Sequence, residues 1–150
     1  MSESKSDINY KIESSINNKN FKVLIADDNS MDRLIVSTTL MQMGFKQIVE
    51  AENGQIAQYK IENATQMKAP FDLIILDWEM PQVNGIRLLK MIRSDSHTKK
   101  TSVLMLTGTS NVDRVREALE SGVNQFVVKP INPKDFCQKI TVLLKIPKRA

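Results

Sequence analysis

Short runs of apolar residues alternate along the chain with longer segments in which apolar and polar positions recur at helical spacing. Five runs are nearly unbroken by polar residues, at 23–26, 48–49, 73–76, 103–106 and 126–128. Strands that are continuously apolar are buried on both faces, which is typical of a parallel sheet covered by helices. The runs therefore predict five buried parallel strands.

The segments between these strands predict five helices, over about 31–43, 54–67, 84–93, 111–121 and 134–145. Gly44 and Gly122 stand where helix C-terminal caps belong, and Pro133 suits a first helical turn. Five strand–helix units in succession, with no internal repeat, indicate an α/β fold: a doubly wound sandwich in which helices cover both faces of the sheet.

The 150 residues fit one domain, which we expect over 21–146, followed by a basic tail at 147–150. Residues 1–20 contain five Ser and four Asn and predict a flexible extension. An alternative is a short helix there, because Ile8, Ile12 and Ile16 fall four residues apart.

The net charge of +4 raises the question of an acidic partner such as nucleic acid. Basic and acidic residues balance over 1–133, however, so the whole surplus lies in 134–150. With so few charges and no recognition motif, nucleic-acid binding is not expected. Cys137 is the single cysteine, and neither a secretory signal nor a membrane-spanning stretch is visible, so we expect a soluble cytoplasmic protein without membrane insertion.

Polar residues with reactive side chains follow four of the predicted strands. Asp27 and Asp28 follow the first, Asp77 the third, Thr107 the fourth and Lys129 the fifth. Parallel α/β sheets bind ligands beyond the carboxyl ends of their strands, so these side chains are expected to meet at one edge. Each has an ordinary explanation when taken alone, such as helix capping by Asp28, but their recurrence at successive strand ends predicts a site.

Three carboxylates crowded together repel each other unless a cation lies among them, and Mg²⁺ favours carboxylate oxygens, water and phosphate. An aspartate can attack phosphorus and form an aspartyl phosphate. Lys129 could then neutralise phosphoryl oxygens and Thr107 could donate a hydrogen bond to one. The only histidine, His97, lies in a polar stretch far from the strand ends. The absence of an evident general base favours a phosphoacceptor over a fast hydrolase.

The chain resembles the receiver domain of bacterial two-component response regulators, the CheY-like family. The resemblance covers about 21–146 and rests on the acidic pair Asp27-Asp28, the segment DWEMPQVNG at 77–85, Thr107-Gly108 and Lys129-Pro130. It implies a flavodoxin-like (βα)5 fold whose strand order is 2-1-3-4-5.

By this resemblance Asp77 accepts a phosphoryl group from a histidine kinase and, together with Asp28, binds Mg²⁺. Asp27 lies close to the ion, often through water, and the main-chain carbonyl of Glu79 supplies another ligand. Lys129 binds the phosphoryl group, and its peptide bond to Pro130 is expected to be cis.

The resemblance also implies a switch, in which Thr107 moves toward the new phosphoryl group and Phe126 turns inward behind it. Glu79 and Thr109 flank the path of the attacking water and are expected to tune the lifetime of the phosphate, with Gly108 leaving the entrance open. Phe126 lacks a tyrosine hydroxyl, so it offers no partner a contact that requires that group. Trp78 is expected to be a partly exposed reporter, and Cys137 a packing residue.

Three functions remain to be separated. The first is a stand-alone response regulator, in chemotaxis or a related pathway, that binds a downstream partner through residues 111–145 or relays phosphate to a histidine phosphotransfer protein. The second is a Mg²⁺-dependent phosphohydrolase with an aspartyl-phosphate intermediate, in which Glu79 would be the acid–base. The third is nucleic-acid binding. If the protein is a stand-alone response regulator, we expect removal of residues 145–150 to weaken partner binding without altering phosphorylation.

Overall fold

The computed structural model describes residues 21–109 and 111–145. The predicted N-terminal extension at 1–20 and the basic tail at 147–150 lie outside the described residues. Within the described part of the chain, no helix combines the length and the apolar character needed to cross a bilayer.

Five strands alternate with five helices along the described chain. The strands are β1 (Lys22–Ala26), β2 (Gln47–Ala51), β3 (Leu73–Asp77), β4 (Ser102–Thr107) and β5 (Gln125–Val128). The helices are α1 (Ser30–Gln42), α2 (Gly54–Gln66), α3 (Gly85–Ser94), α4 (Val112–Glu120) and α5 (Pro133–Lys145). Each predicted helix is present, and most of the helix boundaries differ from the predicted ones by a single residue.

The strands form one parallel sheet in the order β2-β1-β3-β4-β5, which confirms the predicted fold class. The central strand β3 is buried along its whole length, whereas β2 and β5 lie at the edges and are only partly buried. This explains why the apolar run at 48–49 was shorter than the strand that contains it. An edge strand pairs on one side only, so it retains polar residues such as Gln47 and Glu50.

Helices cover both faces of the sheet and enclose two apolar clusters. On one face α1 and α5 pack on the sheet through residues such as Val36, Leu40 and Phe136. On the other face α2, α3 and α4 pack through residues such as Ala57, Leu88 and Ala118. The three layers hold the sheet rigidly, so the residues at its carboxyl edge have fixed positions relative to one another.

Asparagine side chains begin all five helices at that carboxyl edge. Asn29, Asn53, Asn84 and Asn111 each accept a hydrogen bond from a backbone N–H in the first turn of α1 to α4, and Asn132 does the same for α5. The possibility that Asp28 caps the first helix is therefore wrong, because Asn29 is the cap, and the Asp28 carboxylate is not engaged in capping.

The predicted helix-capping glycines and the predicted proline at a helix start are confirmed. Gly44 and Gly122 adopt positive φ angles of 104° and 94° just past the ends of α1 and α4, a conformation in which a side chain would be strained. Pro133 is the first residue of α5, where its missing N–H costs no helical hydrogen bond.

Candidate functional site at the carboxyl edge of the sheet

The structure brings the three predicted aspartates together. Asp27 and Asp28 follow β1, and Asp77 is the last residue of β3, the neighbouring strand in the sheet. One carboxylate oxygen of each lies within 4.8 Å of the others. Asp27 and Asp77 are buried, whereas Asp28 is exposed and faces solvent at the mouth of the site.

Burial and mutual repulsion make Asp77 unusually basic in the metal-free protein. Burial raises the pKa of the Asp77 carboxyl to about 7, and the charge of Asp27 acts in the same direction, against the smaller lowering effect of Lys129. Among the described residues, the backbone donates a single long hydrogen bond to the Asp77 carboxylate, from the N–H of Glu79 at 3.4 Å. A positive charge placed beside Asp77 would therefore convert it to the carboxylate form.

Lys129 extends from the end of β5 into this group of carboxylates. Its Nζ lies 2.8 Å from an oxygen of Asp32, 2.9 Å from Asp27 and 3.4 Å from Asp77. Burial by itself lowers the pKa of Lys129, but its contacts with Asp32 and Asp27 outweigh that effect and raise the pKa above its ordinary value. Lys129 is therefore a fixed positive charge at the centre of the site.

Asp32 is a member of this group that the sequence analysis missed. Asp32 does not follow a strand directly but lies in the first turn of α1. Helices that follow parallel strands begin at the same edge where the strands end. The signal available in the sequence was therefore an acidic residue one turn beyond Asp27 and Asp28.

Two glycines allow the chain around Asp77 to pack closely. A Cβ on Gly85 would lie 2.2 Å from the carbonyl oxygen of Asp77, and one on Gly54 would lie 1.7 Å from the carbonyl oxygen of Val83. The N–H of Gly85 also donates to the carbonyl of Trp78 at 2.9 Å. The loop between β3 and α3 is thus held against the site by main-chain contacts on both sides.

Arg114, a residue of α4, contacts the side chains of Trp78 and Glu79, the two residues that follow Asp77. Arg114 donates to a carboxylate oxygen of Glu79 at 2.7 Å, and its guanidinium carbon lies 5.1 Å from the centre of the Trp78 ring. Trp78 is only 6% exposed, so the expectation of a partly exposed tryptophan is wrong: the apolar cluster of α2, α3 and α4 covers it. Arg114, like Asp32, lies in the first half of a helix and was not anticipated.

Apart from Glu79, the residues with predicted switch and tuning roles lie in β4 and β5 or directly after β4. Thr107 is the last residue of β4, and its hydroxyl donates to the Thr109 carbonyl at 3.2 Å in the turn that follows the strand. Gly108 is exposed, and a Cβ there would meet no atom within 4 Å. Phe126 is half-buried in β5 and packs against the cluster of α2, α3 and α4.

Three other features agree with the expectations from the sequence and from the family resemblance. The Lys129–Pro130 peptide bond is cis. His97 is exposed and pairs with Asp95, away from the aspartates at the carboxyl edge. Cys137 is a free thiol, partly buried against the core formed by α1 and α5.

The donor atoms at the site fit a hard divalent cation. All three clustered ligands are carboxylate oxygens, which Mg²⁺ prefers. Asp27 Oδ2 is buried and makes no directed hydrogen bond; its 2.9 Å contact with Lys129 is an ion pair of poor hydrogen-bond geometry. A cation or its coordinated water would satisfy this oxygen and relieve the repulsion between Asp27 and Asp77.

Comparison with known proteins places this arrangement in a family. Residues 23–141 match the model of the response regulator receiver domain. The chemotaxis protein CheY1 of Helicobacter pylori is 37% identical over 123 residues, covering 82% of this chain and 96% of that protein. The chemotaxis protein CheY-3 of Vibrio cholerae is 39% identical over 123 residues, covering 82% and 91%.

Solved structures agree with these sequence relationships. The chemotaxis response regulator CheY4 of Vibrio cholerae superimposes with a TM-score of 0.72 at 33% identity, covering 82% of this chain and 98% of that one. CheY of Borrelia burgdorferi, solved in a complex with CheX, BeF₃ and Mg²⁺, gives 0.74 at 28% identity, covering 82% and 88%. The chain therefore belongs to the response regulator receiver domain family and is a CheY-like phosphoaccepting signalling protein.

Proposed function

We propose that this protein accepts a phosphoryl group from a histidine kinase on Asp77, with Mg²⁺, and changes its partner binding in response. The observation that carries the proposal is the buried Asp77 carboxyl, which lies among two further aspartates and 3.4 Å from the Lys129 ammonium. This arrangement combines a nucleophile, ligands for a cation and a fixed positive charge for an incoming anion.

The transfer is a single displacement at phosphorus. An oxygen of Asp77 forms the new O–P bond while the N–P bond of the phosphohistidine breaks, and its electron pair stays on the imidazole of the kinase. Asp28 and Asp77 would hold Mg²⁺ directly, with Asp27 through water and the Glu79 main-chain carbonyl as a further ligand. The ion supplies charge neutralisation of the phosphoryl oxygens.

The switch would begin at Thr107. Its hydroxyl now serves a turn with Thr109, with contacts of 3.2 and 3.3 Å that are long for hydrogen bonds of this kind. A phosphoryl oxygen on Asp77 offers a charged and therefore stronger acceptor. Movement of Thr107 toward it leaves room behind β4 for the half-buried Phe126 to turn inward, which shifts the population between two packings.

The partner would bind through α4, β5 and α5. On this face Val112, Leu119 and Val128 are exposed, although each is a large apolar residue. Arg114 lies in α4 and Phe126 in β5, so a change at the phosphoryl site would reach this surface through these two residues. A downstream signalling protein, in chemotaxis or a related pathway, or a histidine phosphotransfer protein is the partner proposed.

The lifetime of the phosphoryl group would depend on Glu79, Thr109 and Gly108. Arg114 holds the Glu79 carboxylate, so this carboxylate is engaged with α4 in the unphosphorylated protein. That contact argues against the second candidate, a phosphohydrolase in which Glu79 acts as acid–base at Asp77.

Phosphorylation by acetyl phosphate in the presence of Mg²⁺ tests the proposal. We expect close to one phosphoryl group per chain, bound to Asp77 and lost slowly, and no incorporation in the Asp77→Asn variant. The control is Asp95→Asn, which removes an exposed carboxylate beyond the C-terminal end of α3 and should be labelled like wild type. Rapid multiple turnover of varied phosphoesters would instead establish the phosphohydrolase, and labelling of Asp77→Asn would reject Asp77 as the acceptor.

A further inference from the structure

Asp32 makes the shortest of the three ion pairs of Lys129. Its Oδ2 lies 2.8 Å from Nζ, against 3.4 Å for Asp77, and both Asp32 and Lys129 are largely shielded from solvent, with side chains 20% and 18% exposed. Shielding matters because an ion pair in partial burial is screened less by water and salt than a surface pair. The resting position of the ammonium is therefore governed by Asp32 and Asp27 more than by Asp77.

The same ammonium is the one positive side chain within reach of Asp77 among the described residues. A phosphoryl group on Asp77 would need Lys129 to approach its oxygens. Asp32 opposes that binding in two ways: it competes for the ammonium, and it adds a negative charge close to an incoming anion. The effect of Asp32 on cation binding is the opposite, because its negative charge attracts Mg²⁺ toward the neighbouring aspartates.

We infer that Asp32 is a positioning residue that holds the Lys129 ammonium away from Asp77 and thereby weakens the site for phosphoryl groups while strengthening it for Mg²⁺. The inference rests on the proposed phosphoacceptor function and assigns a part in it to a residue of α1. Asp32 is not itself a ligand of the phosphoryl group; it acts through Lys129.

The test uses the full chain and measures two affinities in the Asp32→Asn variant: that for Mg²⁺ alone, and that for beryllofluoride at saturating Mg²⁺. Trp78 fluorescence or calorimetry reports both. We expect beryllofluoride to bind roughly three- to tenfold more tightly and Mg²⁺ to bind roughly two- to fivefold more weakly than in wild type. Asp32→Glu, which keeps the charge, should return both affinities toward the wild-type values.

Asp135→Asn is the matched control. Asp135 lies in the first turn of α5 and its backbone N–H donates to Asn132, as that of Asp32 donates to Asn29 in α1. Its carboxylate pairs with Lys139 instead of Lys129, at 3.6 Å, so both affinities should stay within about twofold of wild type.

Opposite shifts of the two affinities separate this role from a merely structural one. If Asp32 only stabilised the fold of the site, Asp32→Asn would weaken both ligands, and that result would overturn the inference. Equal affinities in Asp32→Asn and Asp135→Asn would also overturn it. Failure of the wild-type protein to bind beryllofluoride with Mg²⁺ would instead reject the phosphoacceptor function itself.

Discussion

At the scale of single residues, the site is a case of several like charges held close together by a rigid frame. Asp27 and Asp77 are both buried, and the lone ammonium of Lys129 is shared between them and Asp32. Burial of a carboxylate without full compensation costs stability, and Asp77 responds by a rise of its pKa to about 7. The metal-free protein therefore carries a destabilising charge where a cation is expected to bind.

Replacement of Asp77 by Asn should stabilise the metal-free protein. Because the pKa of Asp77 is raised on folding, its destabilising effect is absent below its unfolded value near 3.8 and grows until the pH exceeds about 7. In urea unfolding at pH 8 with a chelator, Asp77→Asn should gain on the order of 1–3 kcal/mol over wild type.

The gain should shrink steadily as the pH is lowered from 8 toward 4, because wild-type Asp77 then becomes protonated in the folded state. Saturating Mg²⁺ should reduce it as well, since the ion stabilises only the wild-type site. A gain that does not depend on pH would show that the Asp77 charge is not its cause. Asp95→Asn again serves as the exposed control.

At the scale of secondary-structure elements, the site depends on how closely the starts of the helices approach the ends of the strands. The asparagine caps fix where each helix begins, and the absence of a side chain at Gly54 lets α2 touch the backbone of Val83 in the loop after β3. That loop carries Trp78 and Glu79. The position of the loop is thus set by the packing of a helix that contributes no side chain to the site.

Gly54→Ala should destabilise the protein by about 2–4 kcal/mol, because its Cβ would overlap main-chain atoms that cannot turn aside. Displacement of the loop should also weaken Mg²⁺ binding. Gly108→Ala provides the control, since its Cβ would point into open space, and it should change the free energy of unfolding by less than about 0.5 kcal/mol. Urea unfolding and Mg²⁺ titration measure the two effects; equal stabilities would contradict the argument.

At the scale of the whole molecule, β4 and β5 lie between Asp77 at the end of β3 and the proposed partner surface of α4, β5 and α5. Thr107 ends β4, Phe126 lies in the adjacent β5, and Arg114 joins α4 to the loop after β3. We therefore expect a movement of Thr107 to alter the packing of α4 and β5 without any change in fold.

Thr107→Val should separate ligand binding from this long-range response. Beryllofluoride with Mg²⁺ should still bind at Asp77, but most of the NMR shift changes that it causes in the amides of Val112–Glu120 should disappear. The control is Thr98→Val, which removes another buried hydroxyl, one that donates to the Ile92 carbonyl before β4 begins. Its α4 response should be preserved. Full retention of the α4 shifts in Thr107→Val would contradict a role for the hydroxyl.

The sequence alone determined the layers and the reactive strand ends. Continuous apolar runs can be buried only between two layers of helices, and residues directly after parallel strands must share one edge. This predicts that five side chains meet there, those of Asp27, Asp28, Asp77, Thr107 and Lys129. The structure brings the three aspartates and Lys129 together, whereas the Thr107 hydroxyl donates to the Thr109 carbonyl.

Tertiary structure decided what depends on helix orientation and side-chain direction. Asp32 and Arg114 reach the site from the first turns of α1 and α4, Trp78 is covered by the core, and the Glu79 carboxylate is held by α4. None of these contacts follows from hydrophobic periodicity, because periodicity gives the face of a helix but not its neighbour across a loop. The distance between Lys129 and each carboxylate is set by that packing, and this distance governs the charge balance of the site.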